Sequence, residues 1–205
     1  MSRAVKIAVG ALLTTILLSV SPQIEVKEGH PTDFRPKGNE YGESCSLHCG
    51  LAWKVTASSE LRNHEAIKID DGDARTAWIE GKSDYGVGES VTFHFTKELW
   101  ESDESHPDVR GRDKVNFNGF SVLNGYTKSE PLWHANSRVK RLRVYRNTEA
   151  VFDISLADSM AVQLVECSTI WLHPNDTIKV EIMEVYPGDK YKDTAITELT
   201  PEGAH

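Results

Sequence analysis

Val91-Thr92-Phe93-His94-Phe95-Thr96 places Val91, Phe93 and Phe95 on one side of an extended chain and Thr92, His94 and Thr96 on the other. Successive side chains of a strand point to opposite faces, so the stretch predicts a strand with one face in a core and one in water. The same period of two recurs outward in both directions. It is present in Trp53-Lys54-Val55-Thr56-Ala57, at Phe120 and Val122, and in Phe152-Asp153-Ile154-Ser155-Leu156. Lys140, Leu142 and Val144 oppose Arg141, Arg143 and Tyr145, and Ile178, Val180 and Ile182 oppose Lys179, Glu181 and Met183. Val162 to Val165 follows the pattern less strictly. Arg146-Asn147-Thr148-Glu149 predicts a hairpin loop between two of these runs. No long amphipathic helix is visible, and Leu61 to Ile69 has room for one short turn. About eight one-faced strands separated by turns predict an all-β jelly-roll sandwich.

The flanks differ. Arg3 and Lys6 precede an apolar run, Ile7 to Val20, which is short for a membrane span and is followed by small residues. Residues 1–22 read as a signal peptide, so the expected location is secreted, periplasmic or cell-envelope, with no membrane span in the mature chain. Residues 23–44 contain Gly29, Pro31, Pro36, Gly38 and Gly42 without apolar periodicity and read as a polar linker. The domain is expected over 45–205. Among 205 residues the net charge is −8, which argues against general nucleic-acid binding. The three cysteines leave one over in any pairing. Either a Cys45–Cys49 loop or a bridge from Cys167 to one of them is compatible with the sequence.

Catalytic signatures are sparse. Gly86-Val87-Gly88-Glu89 precedes a strand rather than a helix, unlike a phosphate loop. No Gly-x-Ser-x-Gly elbow occurs. A hydrolase using Asp84 and Glu89 is an alternative that requires both carboxylates to face one pocket about 5–10 Å apart. Three inter-strand stretches instead mix aromatic and hydrogen-bonding residues: 83–89, 124–138 and 185–194. Such mixtures line ligand sites. The candidate ligand-binding residues are Tyr85, Tyr126, Asn136, Arg138, Tyr186 and Lys190. A further turn, Asp71-Gly72-Asp73-Ala74-Arg75-Thr76-Ala77-Trp78, gathers hard oxygen donors of the kind that suit Ca²⁺.

Taken in order, Thr76-Ala77-Trp78, Glu80-Gly81, Gly86-Val87-Gly88-Glu89, Asn124-Gly125-Tyr126, Asn136-Ser137-Arg138-Val139-Lys140, Tyr186-Pro187-Gly188 and Asp193 to Leu199 resemble the NAD glycohydrolase translocation domain. That is a discoidin-like, coagulation-factor type C jelly roll of the galactose-binding-like group. The resemblance covers roughly Cys45 to Leu199. It implies glycan or glycoconjugate binding with no catalysis. With no NAD-cleaving module after residue 205, it points to free-standing recognition rather than toxin delivery. It also implies a structural Ca²⁺ held by Asp73, Thr76 and Glu198 with carbonyls near Asp70. A protein-interaction or envelope-assembly role on the same fold is the second alternative.

Overall fold

The strict alternations become strands because only an extended chain can put Phe93, Val91 and their counterparts on one buried side. The structure, a computed structural model, describes residues 23–36, 53–98 and 113–203. The predicted signal peptide, Cys45, Cys49 and most of the 99–113 stretch lie outside the described residues.

Among the described residues eleven strands run β1 (Val26–Glu28), β2 (His30–Pro31), β3 (Lys54–Ala57), β4 (Trp78–Ile79), β5 (Ser90–His94), β6 (Val115–Asn124), β7 (Ser137–Arg146), β8 (Glu149–Ser155), β9 (Gln163–Leu172), β10 (Thr177–Tyr186) and β11 (Thr194–Glu202). Pairing divides them into two layers. One is β2-β9-β6-β11, and the other runs β3-β5-β10-β7-β8-β1. β11 belongs to both. Its later half pairs antiparallel with β6, from Glu198 opposite Leu123 to Glu202 opposite Gly119. Its first residues pair parallel with Ser137 and Arg138 of β7 and antiparallel with β4. The layers enclose one apolar cluster that includes Phe93, Leu142, Val180 and Ile182 from one side and Phe117, Phe120, Val122 and Leu199 from the other. Phe93 and Phe120 meet across it with ring centroids 6.2 Å apart. The fold is the expected jelly-roll sandwich.

The expected linker over 23–44 is corrected at its start. β1 pairs parallel with Asp153–Ser155 of β8, and β2 pairs antiparallel with Gln163–Leu164 of β9. Two short strands thus clasp both layers along one edge. Gly29 between them has no room for a side chain, since a Cβ would lie 2.9 Å from Gln163 Oε1 and Leu156 Cδ2. Backbone hydrogen bonds hold this segment, so it carries no hydrophobic alternation for a sequence reading to find. Asn147-Thr148 forms the predicted hairpin, with Asn147 at φ 54°. The short turn expected within 61–69 is a 3-10 helix at Ala66–Asp70. One helix, α1 (Glu130–Ala135), was not anticipated. Ser129 Oγ caps it by accepting from the Leu132 amide at 3.4 Å, and Pro131 occupies its first turn, signals that Ser129-Glu130-Pro131 does contain. No helix among the described residues is long and apolar enough to cross a membrane.

β6 and β9 slip register next to Gly119, whose φ is 148°. A Cβ there would sit 1.8 Å from the Val165 carbonyl oxygen. Gly119→Ala is therefore expected to cost at least about 2 kcal/mol, measured as a fall in chemical-denaturation midpoint at unchanged slope.

Candidate functional site

β6 and β10 end, and β5, β7, β9 and β11 begin, at the same end of the sandwich. The loops 80–89, 125–136, 156–162 and 187–193 therefore meet there. The 187–193 loop is laid on α1: the Asp189 amide donates to the His134 carbonyl at 2.9 Å and the Tyr191 amide to the Ala135 carbonyl at 2.8 Å. The Ser137 amide donates to the Asp193 carbonyl at 3.0 Å. The 80–89 loop joins through Thr194, whose hydroxyl donates to the Tyr85 carbonyl at 2.8 Å. All three stretches singled out from sequence thus converge, and they gain a fourth neighbour in 156–162.

The six candidate ligand residues share this rim but not one role. Tyr85 is half-buried, with Lys192 Nζ 5.7 Å from its ring centroid. Lys190 is exposed, its Nζ 4.9 Å from the Tyr191 ring. Tyr126 is half-buried against Ala77, Ile79 and Ala195, edge-on to His64 at 5.4 Å. Tyr186 donates its hydroxyl to the Leu156 carbonyl at 3.0 Å. Asn136 is buried, and its side-chain amide donates to the Leu132 carbonyl at 2.8 Å. Arg138, a candidate ligand residue, is committed inward. Its side chain is 7% exposed; Nε and one terminal nitrogen donate to the two Asp158 oxygens at 2.7 and 3.0 Å. The other terminal nitrogen donates to the Asn136 and Trp133 carbonyls at 3.0 and 3.3 Å, and the guanidinium stacks 4.3 Å from the Trp133 ring. A sequence cannot reveal this, because Asp158 lies twenty residues away on another loop.

Beneath the rim, buried Glu80 accepts from the Lys82 amide at 2.6 Å and the Thr194 amide at 3.2 Å, tying the 80–89 loop to β11. Burial raises its carboxyl above the usual range despite these two donors. The Asp84 and Glu89 carboxylates are each engaged with partners of their own. Asp84 accepts the Gly86 amide at 2.9 Å within its own turn, and Glu89 accepts Ser58 Oγ at 2.5 Å and lies 3.7 Å from Lys82 Nζ.

The acidic turn packs beside β11. Glu198 is fully buried, and neither carboxylate oxygen has a hydrogen-bond partner. The Gly72 and Asp73 amides point toward it without closing a bond of ordinary geometry. Burial, with Asp70 and Asp71 nearby, raises its carboxyl to about 9. Thr76 donates its hydroxyl to Asp71 at 2.9 Å and reaches the Asp73 carbonyl at 3.3 Å. The Asp73 carboxylate, in contrast, is paired with Arg75 at 2.6 and 2.8 Å, which lowers its pKa to about 2. Among the described residues no three His, Cys, Asp or Glu side chains gather as a metal-ligand group. A hard cation would instead draw on Glu198, the Asp71 carboxylate, the Thr76 hydroxyl and main-chain carbonyls. Glu198 and Thr76 fit that group, while the Asp73 side chain is already paired with Arg75.

A two-layer jelly roll presenting loops at one end defines a discoidin-like domain. The chain belongs to the NAD glycohydrolase translocation F5/8 type C domain family, whose model matches residues 47–103 and 111–201. The search of curated proteins found no match. Solved structures with the same fold come from Clostridium perfringens. The CBM32-1 and CBM32-2 domains of ZmpB in complex with GalNAc share 11% identity at TM-score 0.54, covering 91% of this chain and 42% of that one. CpGH89CBM32-5 in complex with GalNAc-β-1,3-galactose shares 16% at TM-score 0.50, covering 74% and 95%. The CBM32-1, CBM32-2 and M60 catalytic domains of ZmpB share 11% at TM-score 0.55, covering 93% and 18%. The chain thus spans a minor part of the longer ZmpB structures.

Two outcomes follow from this geometry. Arg138→Ala should cost about 2–3 kcal/mol, through two orphaned carbonyls and the lost Trp133 stack, read as a lowered thermal midpoint. Glu198 binds its proton more tightly folded than unfolded. In chelator the thermal midpoint should therefore fall as pH rises from the ordinary 4.5 toward about 9, and Glu198→Gln should flatten that slope.

Proposed function

We propose that this chain is a non-catalytic carbohydrate-binding domain that works outside the cytoplasm and holds a glycan at the rim. The observation that carries the reading is the convergence of separate loops, three of them bringing aromatic faces and all of them polar groups, onto one end of a rigid sandwich. Tyrosine faces pack on the C–H surface of a sugar, while fixed donors and acceptors bind its hydroxyls. Membership of the family, and the glycans named in the complexes of the similarly folded domains, support the same class of ligand. Tyr85 and Lys190 are the contact residues, and Tyr126 packs on Ala77, Ile79 and Ala195. Asn136, Arg138 and Tyr186 shape the rim from below.

Glu198, Asp71 and Thr76 hold a structural Ca²⁺ in this reading. The ion supplies the positive charge that a buried carboxylate beside Asp70 and Asp71 otherwise lacks. Its effect is to lock the turn onto β11. A signal peptide at 1–22 and export complete the proposal.

A second reading, a protein-interaction module, is favoured by one observation. A cavity of about 530 Å³ on the outer side of β6 and β9 is lined by Asn118, Leu164, Glu166 and Thr169, away from the rim.

A glycan array run with and without EDTA tests both parts. The expected result is binding to a restricted set of glycans, and a thermal midpoint that rises when Ca²⁺ is restored. Tyr85→Ala and Lys190→Ala should each weaken binding about tenfold while leaving the midpoint within about 1 °C. A blank array together with a protein captured through the β6–β9 face would favour the second reading.

A further inference from the structure

The buried Arg138 leaves a question about which group at its end of the rim meets solvent. We infer that Asp158, held in place by Arg138, is the group that reads sugar hydroxyls there, and that it selects uncharged glycans over acidic ones. The inference rests on the carbohydrate-binding reading and specifies the ligand class of that site.

Asp158 is the exposed half of the pair, with 38% of its side chain accessible against 7% for Arg138. The Arg138 fork takes one direction on each carboxylate oxygen. A carboxylate offers about four acceptor directions, so about two remain toward solvent. They are fixed in space because the rest of the loop is tied down. The Leu156 amide donates to the Lys140 carbonyl at 3.0 Å, and the Leu156 carbonyl accepts Tyr186. Gln163 grips Ala157 twice, accepting its amide at 2.8 Å and donating to its carbonyl at 3.0 Å. Ser159 Oγ accepts the Ala161 amide at 3.1 Å. The carboxylate is therefore preorganised, and a ligand need not freeze it.

Hydroxyl groups donating to such a carboxylate form charge-assisted bonds, roughly twice as strong as neutral ones. The same group opposes a sugar carboxylate or sulfate. Arg138 lies behind Asp158, with its Nε and one terminal nitrogen bonded to that carboxylate and the other terminal nitrogen to two carbonyls, so the carboxylate is the group of the pair that faces a ligand. The nearby Lys140 pairs with Glu184 at 2.9 Å. Lys190 and Lys192 are exposed on the 187–193 loop against tyrosine rings and keep their charge, so the preference for uncharged sugars is that of the subsite beside Asp158. Arg138 is thus a positioning residue and Asp158 the contact.

The test is an array of neutral glycans and their uronic-acid and sialylated counterparts, followed by titration of the best neutral hit. Wild type is expected to favour the neutral members by at least about tenfold. Asp158→Glu keeps the charge and a partner for Arg138 but moves the carboxylate outward. It should retain the thermal midpoint and lose about tenfold in affinity. Arg138→Lys replaces the fork by a single donor point and should lose less affinity than Asp158→Glu, in step with a loosened carboxylate. Unchanged affinity in Asp158→Glu, or tighter binding of acidic members by wild type, overturns the inference and leaves glycan binding standing. An array blank for wild type removes the carbohydrate reading itself. The neutral-over-acidic preference needs no variant, so it decides the matter even if the substitutions fail to fold.

Discussion

One strand, β11, is hydrogen-bonded into both layers of the sandwich, and that double pairing constrains everything near the rim. Thr194 and Ala195 pair with β7 and β4, while Glu198 to Glu202 pair with β6. A strand can switch partners in this way only where its neighbours diverge, so β11 marks the corner of the jelly roll. Its first residues hold the 80–89 loop through Glu80 and Thr194, and its middle faces the acidic turn through Glu198. The rim and the turn are therefore mechanically joined through one strand.

The rim is built on buried polar groups rather than on apolar packing. Asn124 exchanges two hydrogen bonds with Val139, its side chain donating to the carbonyl at 2.7 Å and accepting the amide at 3.0 Å. Thr197 donates to the Gly125 carbonyl at 2.6 Å. Each such group is satisfied by backbone, which fixes loop positions more narrowly than a greasy contact could. Glu198 is the exception, a buried carboxyl that the Gly72 and Asp73 amides approach without closing a bond of ordinary geometry. Buried charges are strongly unfavourable without a compensating partner, and this orphan is what makes a cation at the turn a physical proposition.

Rim residues divide by exposure. Lys190, the Tyr85–Lys192 pair and Asp158 meet solvent, while Asn136, Arg138 and the Tyr186 hydroxyl are committed inward. A rim of this design keeps its moving parts few. The groups that meet solvent are few, and the groups that hold them are buried. Such preorganisation lowers the ordering cost of binding and makes affinity depend on a small number of positions.

Much of this was legible before folding. The alternation at Val91–Thr96, Ile178–Met183 and Phe152–Leu156 specified strands, their buried faces and an all-β class, because hydrophobic periodicity is a local property. The order of short motifs from Thr76 to Leu199 specified the family. The sequence also named the loops that meet at the rim. It could not name their roles. Arg138 reads as a free cation until Asp158 is brought to it from the 156–162 loop. β1 and β2 were invisible because backbone pairing leaves no trace in side-chain pattern. Strand identity is encoded by neighbours in sequence, whereas the charge, exposure and partner of a polar group are decided by neighbours in space.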